Sequence, residues 1–401
     1  RNTGKKNLRA TLQIATLNIR GGGSTQTEGK WQHVNQIMRD RRIGILAVQE
    51  THLTDTIVDS LHEQFGKRIL IHHTSDTEHP NSKGVALVFN RDETACEEAT
   101  SHVIIPGRAL YTQLPWKGEN KFHILAIYAP NNHTENADFW EEITQILREE
   151  HLPHPDIVLG DFNLVEDQLD RMPSHPDPER ATSALQELKS EYNLIDGWRY
   201  ENENIVQYTY MQVGGKIHSR LDRIYINEAL LPNTHKWEIQ SIGIATDHKL
   251  VSAQVINPTK PWIGKGRWSV PLSILKDKKA LDELRELGRK IVESLPALRT
   301  EENNAQQKLL EFKNQARVFL RTWAREAGAR RNAQISKMEK DLQITINDLT
   351  QPLEERQEQA TVLELRLKEI QKSQHDALRI HVAARNRLEG ETNSTYWTGL
   401  N

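Results

Sequence analysis

The chain has 401 residues, 27% of them charged, and a formal net charge of -3. That length admits two domains or more, and the near-neutral balance excludes a uniformly basic nucleic-acid binder, so an anionic partner would be met by local patches. The single cysteine, Cys96, excludes a disulfide framework within the chain and a zinc ribbon, and fits a reducing compartment.

The basic, polar start Arg1–Ala10 is not followed by a signal-type apolar run, and no run approaches the length of a membrane span. There is no initial Met, so a fragment of a longer polypeptide is expected. Leu12–Ile19 alternates and predicts a strand. It ends at Asn18, Arg20 and the triple glycine Gly21-Gly22-Gly23, where the backbone is free to turn tightly beside a ligand. Trp31, Val34, Ile37 and Met38 recur at helical spacing. Ile43–Val48 predicts the next strand and ends at Gln49-Glu50-Thr51, a carboxylate at a strand end. Ile69–His72 and Val85–Phe89 read as strands joined by polar loops. Ala109–Leu114 and Phe122–Tyr128 read as an antiparallel pair around Lys117-Gly118-Glu119-Asn120, and the second runs into Tyr128-Ala129-Pro130-Asn131. A helix is expected over Phe139–Leu147.

Asp156-Ile157-Val158-Leu159-Gly160-Asp161-Phe162-Asn163 is the most informative stretch. A short apolar run, read as a strand buried on both sides, stops at Gly160. A carboxylate and a carboxamide follow two residues apart, which in an extended chain puts both on one face. An acid with a neutral amide at a strand end suits activation of a water beside a metal, although both are also ordinary turn formers. Leu164–Pro173 reads as a loop in which Asp170 and Arg171 pair structurally. Ala184–Tyr192 predicts a helix. Tyr208–Met211 and Leu221–Ile226 read as paired strands around Val213-Gly214-Gly215-Lys216. Asp222 interrupts the second of these, and facing inward it needs a partner. Thr246-Asp247-His248-Lys249 then opens a last strand through Val255. An imidazole near several strand-end carboxylates suits proton transfer or phosphate stabilisation.

Strand signals stop near Pro258. A linker is expected over 258–272 and an all-α region over 273–401. Leu309, Phe312, Ala316, Phe319, Leu320 and Trp323 mark one apolar face. Lys313, Arg317, Arg321 and Arg325 recur every four residues beside it, as a solvated face or a phosphate-tracking surface. Glu354–Arg387 is expected to be helical and hairpinned against the helix before it.

Interleaved strands and helices with several hairpins favour an α+β sandwich over a Rossmann sheet. Taken in order, Leu17-Asn18-Ile19-Arg20-Gly21, Val48-Gln49-Glu50-Thr51, Tyr128-Ala129-Pro130-Asn131, Gly160-Asp161-Phe162-Asn163, Arg220-Leu221-Asp222 and Thr246-Asp247-His248 resemble the endonuclease/exonuclease/phosphatase superfamily. Within it the nearest likeness is to the apurinic-endonuclease-like domain of LINE-type (non-LTR) retrotransposon polyproteins. The glycine run after Arg20, the segment Gly160–Pro173, the Tyr208–Ile226 hairpin and Gly266-Arg267-Trp268 before a helical region carry that likeness. Thr246 stands where many members have Ser, and the hydroxyl is kept.

The resemblance implies a four-layer α/β/β/α sandwich over 1–257, two mixed sheets flanked by helices, then a helical region leading toward a reverse transcriptase outside this chain. It implies Mg²⁺, with Mn²⁺ as the alternative, held by Glu50 with Asn18 and Asp247. Asp161 would orient or deprotonate the attacking water, and Asn163 would hold that water or a phosphate oxygen. His248 would stabilise charge on the phosphoryl oxygens, its ring oriented by Asp247 and tuned by Asp222. Tyr128 would serve the phosphate or the leaving 3′ oxygen. Arg20, Asn131, Thr209 and Ser219, and the stripe Lys313, Arg317 and Arg321, would bind substrate. The expected product is a nick in double-stranded DNA with a 3′ hydroxyl that primes reverse transcription in the nucleus. Element RNA and a reverse transcriptase domain are the further partners, and no membrane is involved. The alternatives are a repair endonuclease for abasic sites, a phosphatase for lipid or inositol phosphates, and a non-catalytic nucleic-acid-binding remnant.

Overall fold

The computed structural model describes residues 11–21, 24–76, 83–117, 120–212, 217–256, 270, 274, 277–295, 304–348 and 350–371. The chain divides into two compact units, Arg1–Ile263 with Leu342–Lys368 and Gly264–Asp341 with Glu369–Asn401.

Two six-stranded sheets build the first unit. One runs Thr234–Gln240, Leu250–Ile256, Thr11–Asn18, Ile43–Gln49, Val85–Asn90, Ile69–Thr74. The other runs Leu194–Asp196, Asp222–Asn227, Ile157–Asp161, Asn120–Tyr128, Ala109–Lys117, Thr100–Ile105. Each sheet holds one parallel pair, Thr11–Asn18 with Ile43–Gln49 and Asn120–Tyr128 with Ile157–Asp161, and the rest is antiparallel. A parallel pair needs a crossover. The helices Ser24–Asp40 and His133–Glu149 supply the two crossovers.

Period-two alternation assigns each side chain to a layer. Leu12, Ile14, Ile157 and Leu159 enter an apolar core between the sheets. Ala15 and Leu17 face a second core with Trp31, Val34, Val58 and Leu61 from the helices Ser24–Asp40 and Asp55–Phe65. Val158 and Tyr225 face a third with Trp140, Ile143, Leu185 and Leu188 from His133–Glu149 and Glu179–Glu191. The three cores are the three interfaces of the expected four-layer α/β/β/α sandwich.

Several local expectations fail for identifiable reasons. The Asp55–Phe65 helix buries only Val58, Leu61 and Phe65, a pattern too sparse to read, and the Thr54 hydroxyl caps it by accepting from the Ile57 N–H at 3.4 Å. Thr100–Ile105 and Thr234–Gln240 are edge strands with exposed polar faces, the first with little alternation and the second interrupted by a register shift between His235 and Glu238. Tyr208–Met211 does not pair with Leu221–Ile226. Tyr210–Met211 pairs with His218–Ser219, which pairs with Arg171–Met172, whereas Asp222–Asn227 pairs with Ile157–Asp161. The switch falls at Arg220, whose buried guanidinium binds Asp170 and Asp196 and turns the chain out of the hairpin. Asp170 and Arg171 likewise take separate partners, Arg220 at 2.6 Å and Asp177 at 2.9 Å. The Val213–Lys216 turn and Gly118-Glu119 lie outside the described residues.

In the second unit, Asp277 caps the helix Lys278–Glu293, accepting from the Lys279 N–H at 3.0 Å. Phe319, Leu320 and Trp323 pack with Ile274 and Ala280. Leu309 is 52% exposed, so the apolar face does not extend that far back. The 258–272 linker, apart from Val270, and residues 372–401 lie outside the described residues. The described residues of 273–401 divide between the two units. Leu342, Ile346 and Ala360 are buried with Met172 and Tyr208, and this draws Leu342–Lys368 into the first unit.

Candidate active site

The two parallel pairs end side by side. Their registers set Asn18 opposite Gln49 and Tyr128 opposite Asp161, and the antiparallel neighbour sets Asp222 opposite Asp161. Residues far apart in sequence thus leave both sheets at one end.

Asn18, fully buried, ties the sheets together. Its Nδ2 donates to Glu50 Oε1 and to Asp161 Oδ2, both at 2.9 Å. Its Oδ1 accepts the Arg20 N–H at 2.8 Å. Asn18 therefore holds two carboxylates with its nitrogen while its oxygen accepts from the backbone of Arg20, so it acts as a tie between the sheets. The Tyr128 hydroxyl donates to Glu50 Oε1 at 3.2 Å, and the Arg108 guanidinium lies 4.8 Å from the Tyr128 ring centre.

Asp161 is 1% exposed. Its Oδ1 accepts the Asn163 N–H at 3.0 Å. Burial pushes its carboxyl up and the Asp222 charge adds to this, to about 6, against the opposing pull of His248 and Asn18. His248 Nδ1 is hydrogen-bonded to Asp222 Oδ2 at 2.8 Å, and Nε2 lies 3.9 Å from Asp161 Oδ2. Burial alone would lower this imidazole, but Asp222 and then Asp161 raise it to about 9, which favours the charged ring. Asp222 Oδ1 is buried with no hydrogen-bond partner among the described residues, which leaves the imidazole to compensate that acid. The ring is oriented by Asp222 and not, as expected, by Asp247, whose Oδ2 accepts from Arg20 Nη1 at 2.9 Å.

Backbone strain gathers here. Arg20, Glu50, His52 and Asn163 all have positive φ, between 46° and 51°, a region that costs a non-glycine residue free energy. The positive φ at Asn163 corrects the extended-chain argument: a left-handed turn brings it beside Asp161, and its Nδ2 donates to the Ala129 carbonyl at 2.9 Å. Gly160 is required before it, since a Cβ there would sit 1.9 Å from the Ile127 oxygen.

Other expected residues lie elsewhere. Thr209 is fully buried, and its hydroxyl accepts the Leu221 and Asp222 N–H groups at 3.0 Å, so it is scaffold behind Asp222 and not a substrate contact. Ser219, 3% exposed, pairs with Tyr210 and with Arg171, so it too is framework. Arg20 and Asn131 are exposed. Lys313, Arg317 and Arg321 are exposed in the second unit. Lys30, scarcely signalled in the sequence, donates from its ammonium to the Ile19 carbonyl at 2.8 Å and to that of Arg20 and lies in the fields of Glu50 and Asp247. Its one signal is a lysine beside Trp31 on the inner face of a helix. Tyr210, with its ring centre 5.0 Å from that of His248, carried no signal.

The donor set divides by chemistry. Asp161, Asp222 and His248 offer atoms within 4.8 Å of one another. Asp222 is spent on the imidazole, however, and the charged ring repels a cation. Glu50 and Asp161 present oxygens drawn to one amide, Glu50 is half-buried, and Asp247 shares the field at Lys30. A few carboxylate oxygens at an open edge fit a hard divalent ion that keeps several waters.

Over 69% of this chain, 282 residues, a transposon TX1 protein of 149 kDa from Xenopus laevis is 29% identical, and the match spans 20% of that protein's length. An AP endonuclease from Leishmania major superposes with a TM-score of 0.52 at 15% identity, covering 64% of this chain and 92% of that one. A 3′–5′ exonuclease from Neisseria meningitidis superposes with a TM-score of 0.50 at 18% identity, covering 61% of this chain and all of that one. At such identities these two report the fold alone. Residues 15–248 match the endonuclease/exonuclease/phosphatase family, and the chain belongs to it.

Proposed function

We propose that this chain is a divalent-metal-dependent endonuclease that nicks double-stranded DNA and leaves a 3′ hydroxyl and a 5′ phosphate. The observation that carries the reading is the single amide of Asn18, which draws Glu50 and Asp161 together beside the Asp222–His248 pair. Two acids held for a cation next to an imidazolium are what transfer of a phosphodiester to water calls for.

Asp161 takes the proton of the attacking water, at a distance His248 cannot neutralise by direct hydrogen bonding. Asn163, its nitrogen already engaged by Ala129, has its carboxamide oxygen to accept from that water. His248 donates from Nε2 to a phosphoryl oxygen, its charge maintained by Asp222. Tyr128 donates to Glu50 and stands by for the leaving 3′ oxygen. Glu50, with Asp161 and Asp247, would hold Mg²⁺ or Mn²⁺. Such an ion, when bound, supplies Lewis-acid stabilisation of the phosphoryl charge.

The likeness to a transposon protein supports a place in a non-LTR retrotransposon polyprotein. In that setting the partners are genomic DNA, element RNA and a reverse transcriptase domain, the site of action is the nucleus, and the nick primes reverse transcription. The domain limits that go with this reading are 1–257 for the nuclease and 273–401 for the path toward the polymerase, with 342–368 packed back on the nuclease.

Supercoiled plasmid, an abasic oligonucleotide and an inositol phosphate, each with Mg²⁺, Mn²⁺ or EDTA, test the reading. Metal-dependent nicking of plasmid, with ends that a polymerase extends directly, is expected. Cleavage confined to the abasic oligonucleotide, or hydrolysis of the inositol phosphate alone, would replace it with a repair or phosphatase reading. Inactivity on all three with intact DNA binding would leave the non-catalytic one.

A further inference from the structure

Glu364 lies on the helix 353–371, more than a hundred residues beyond the last catalytic candidate, yet it is 2% exposed. It accepts from Lys249 Nζ at 2.8 Å. Lys249 directly follows His248 and is itself buried. The other Glu364 oxygen, Oε2, lies 3.8 Å from Nε2 of the fully buried His218.

Both of these partners hold the segment that carries His248. The Met211 N–H donates to the Asp247 carbonyl at 3.1 Å, and the Lys249 N–H to the Thr209 carbonyl at 2.7 Å. Residues 247–249 therefore run along the hairpin formed by Tyr210–Met211 and His218–Ser219, and Tyr210 bridges His248. The tail grips the same framework a second time. Leu342, Ile346 and Ala360 pack on Met172 and Tyr208, and Gln343 donates to the Val206 carbonyl at 2.6 Å. One turn past Glu364, Lys368 lies in the fields of Glu364, Lys249 and Asp247.

A buried ion pair is weak evidence for stability, because a well-packed apolar pair does as well. What such a pair supplies is a fixed position. We infer that the tail hairpin 342–368 is a working part of the active site, with Glu364 a positioning residue that acts through Lys249 to set His248. This rests on the nuclease reading for its kinetic consequence but not for its geometry.

The full chain tests it. Glu364→Gln keeps the shape and leaves Lys249 buried without its counter-charge. Its kcat for plasmid nicking should fall about tenfold or more, since small displacements of a catalytic group are that costly, with KM within about twofold. The His248 Nδ1 proton, a downfield NMR signal identified by its loss in His248→Asn, should shift or broaden. Reversing the pair, Lys249→Glu with Glu364→Lys, should recover both kcat and the signal. Wild-type kcat and an unmoved signal in Glu364→Gln would overturn the inference. Should that variant not fold, a folded reversed pair lacking both kcat and signal would overturn it as well. A wild-type chain that nicks nothing would sink the nuclease reading instead, and the proton signal would still decide the role of Glu364.

Discussion

Arg220 and Asp222 are two residues apart and enter two buried charge clusters of opposite character. Arg220 lies with Asp170, Asp196 and Arg199, where each acid meets guanidinium at hydrogen-bonding distance. Asp222 lies with Asp161, and through Asn18 with Glu50, where acids outnumber the one imidazole. Burial alone would raise both Asp170 and Asp161. Arg220, with Arg223 and Arg199 behind it, holds Asp170 down at about 2, while Asp161 stands at about 6. Depth is common to the two clusters, and compensation is what separates them. The first is closed and its charges are spent on one another. The second keeps an acid excess that a cation and a phosphodiester would complete, the pattern by which perturbed groups mark chemistry.

The largest effect expected from this contrast is on rate. Asp161→Asn should cut nicking by about 10²–10⁴-fold, the usual contribution of a positioned base. Its melting temperature should hold or rise, because the substitution removes a desolvated acid beside another acid. A clear fall in melting temperature would move Asp161 into the structural class. Asp170→Asn should do the reverse. Breaking a buried pair costs about 3–5 kcal/mol, so the denaturation midpoint should drop while kcat per folded molecule is kept. Loss of kcat in a folded Asp170→Asn protein would erase the distinction.

A smaller effect concerns acid. Asp170 has its folded pKa below the unfolded value of about 3.9, so the unfolded chain takes up the proton first. Its contribution, of order 2 kcal/mol, is complete above about pH 4 and fades as pH falls toward 2. Urea unfolding of wild type and Asp170→Asn between pH 5 and pH 2 should converge across that window. Parallel curves would mean that the arginines do not hold the carboxyl down.

The two clusters also differ in how well the sequence announces them. Asn18, Glu50, Tyr128, Asp161 and His248 each follow or precede an apolar strand, and parallel register carries such ends to one place, so the site was legible. The sandwich was legible because strands and helices interleave with several hairpins, and its four layers followed from the family likeness. Residues whose role is set by partners on other strands were not. Thr209 and Ser219 were expected to bind substrate and are buried framework, because nothing local says that Arg220 is buried on Asp170 and pulls the chain inward. Asp222, not Asp247, holds the imidazole, and adjacency in sequence pointed the wrong way. The Leu342–Lys368 segment looked like part of a separate helical body because its apolar positions fit a helix without naming what they face.

Charge that is neither buried nor enclosed gives the smallest expected effect and a third point of comparison. Lys313, Arg317 and Arg321 sit on the exposed side of the Ala305–Asn347 helix, whose inner side holds Ala316 and Leu320. No desolvation is paid there, so their worth to the fold is small, and ordinary solvation is explanation enough for their presence. If the stripe also tracks phosphates, each residue adds a released counterion on binding. Reversing Arg317 and Arg321 to Glu should then weaken binding to duplex or single-stranded nucleic acid and lower the slope of log K against log salt by about 2, with no change in melting temperature. An unchanged slope would leave these arginines as solvated surface, and Arg20, exposed at the active-site rim, would be the next cation to reverse.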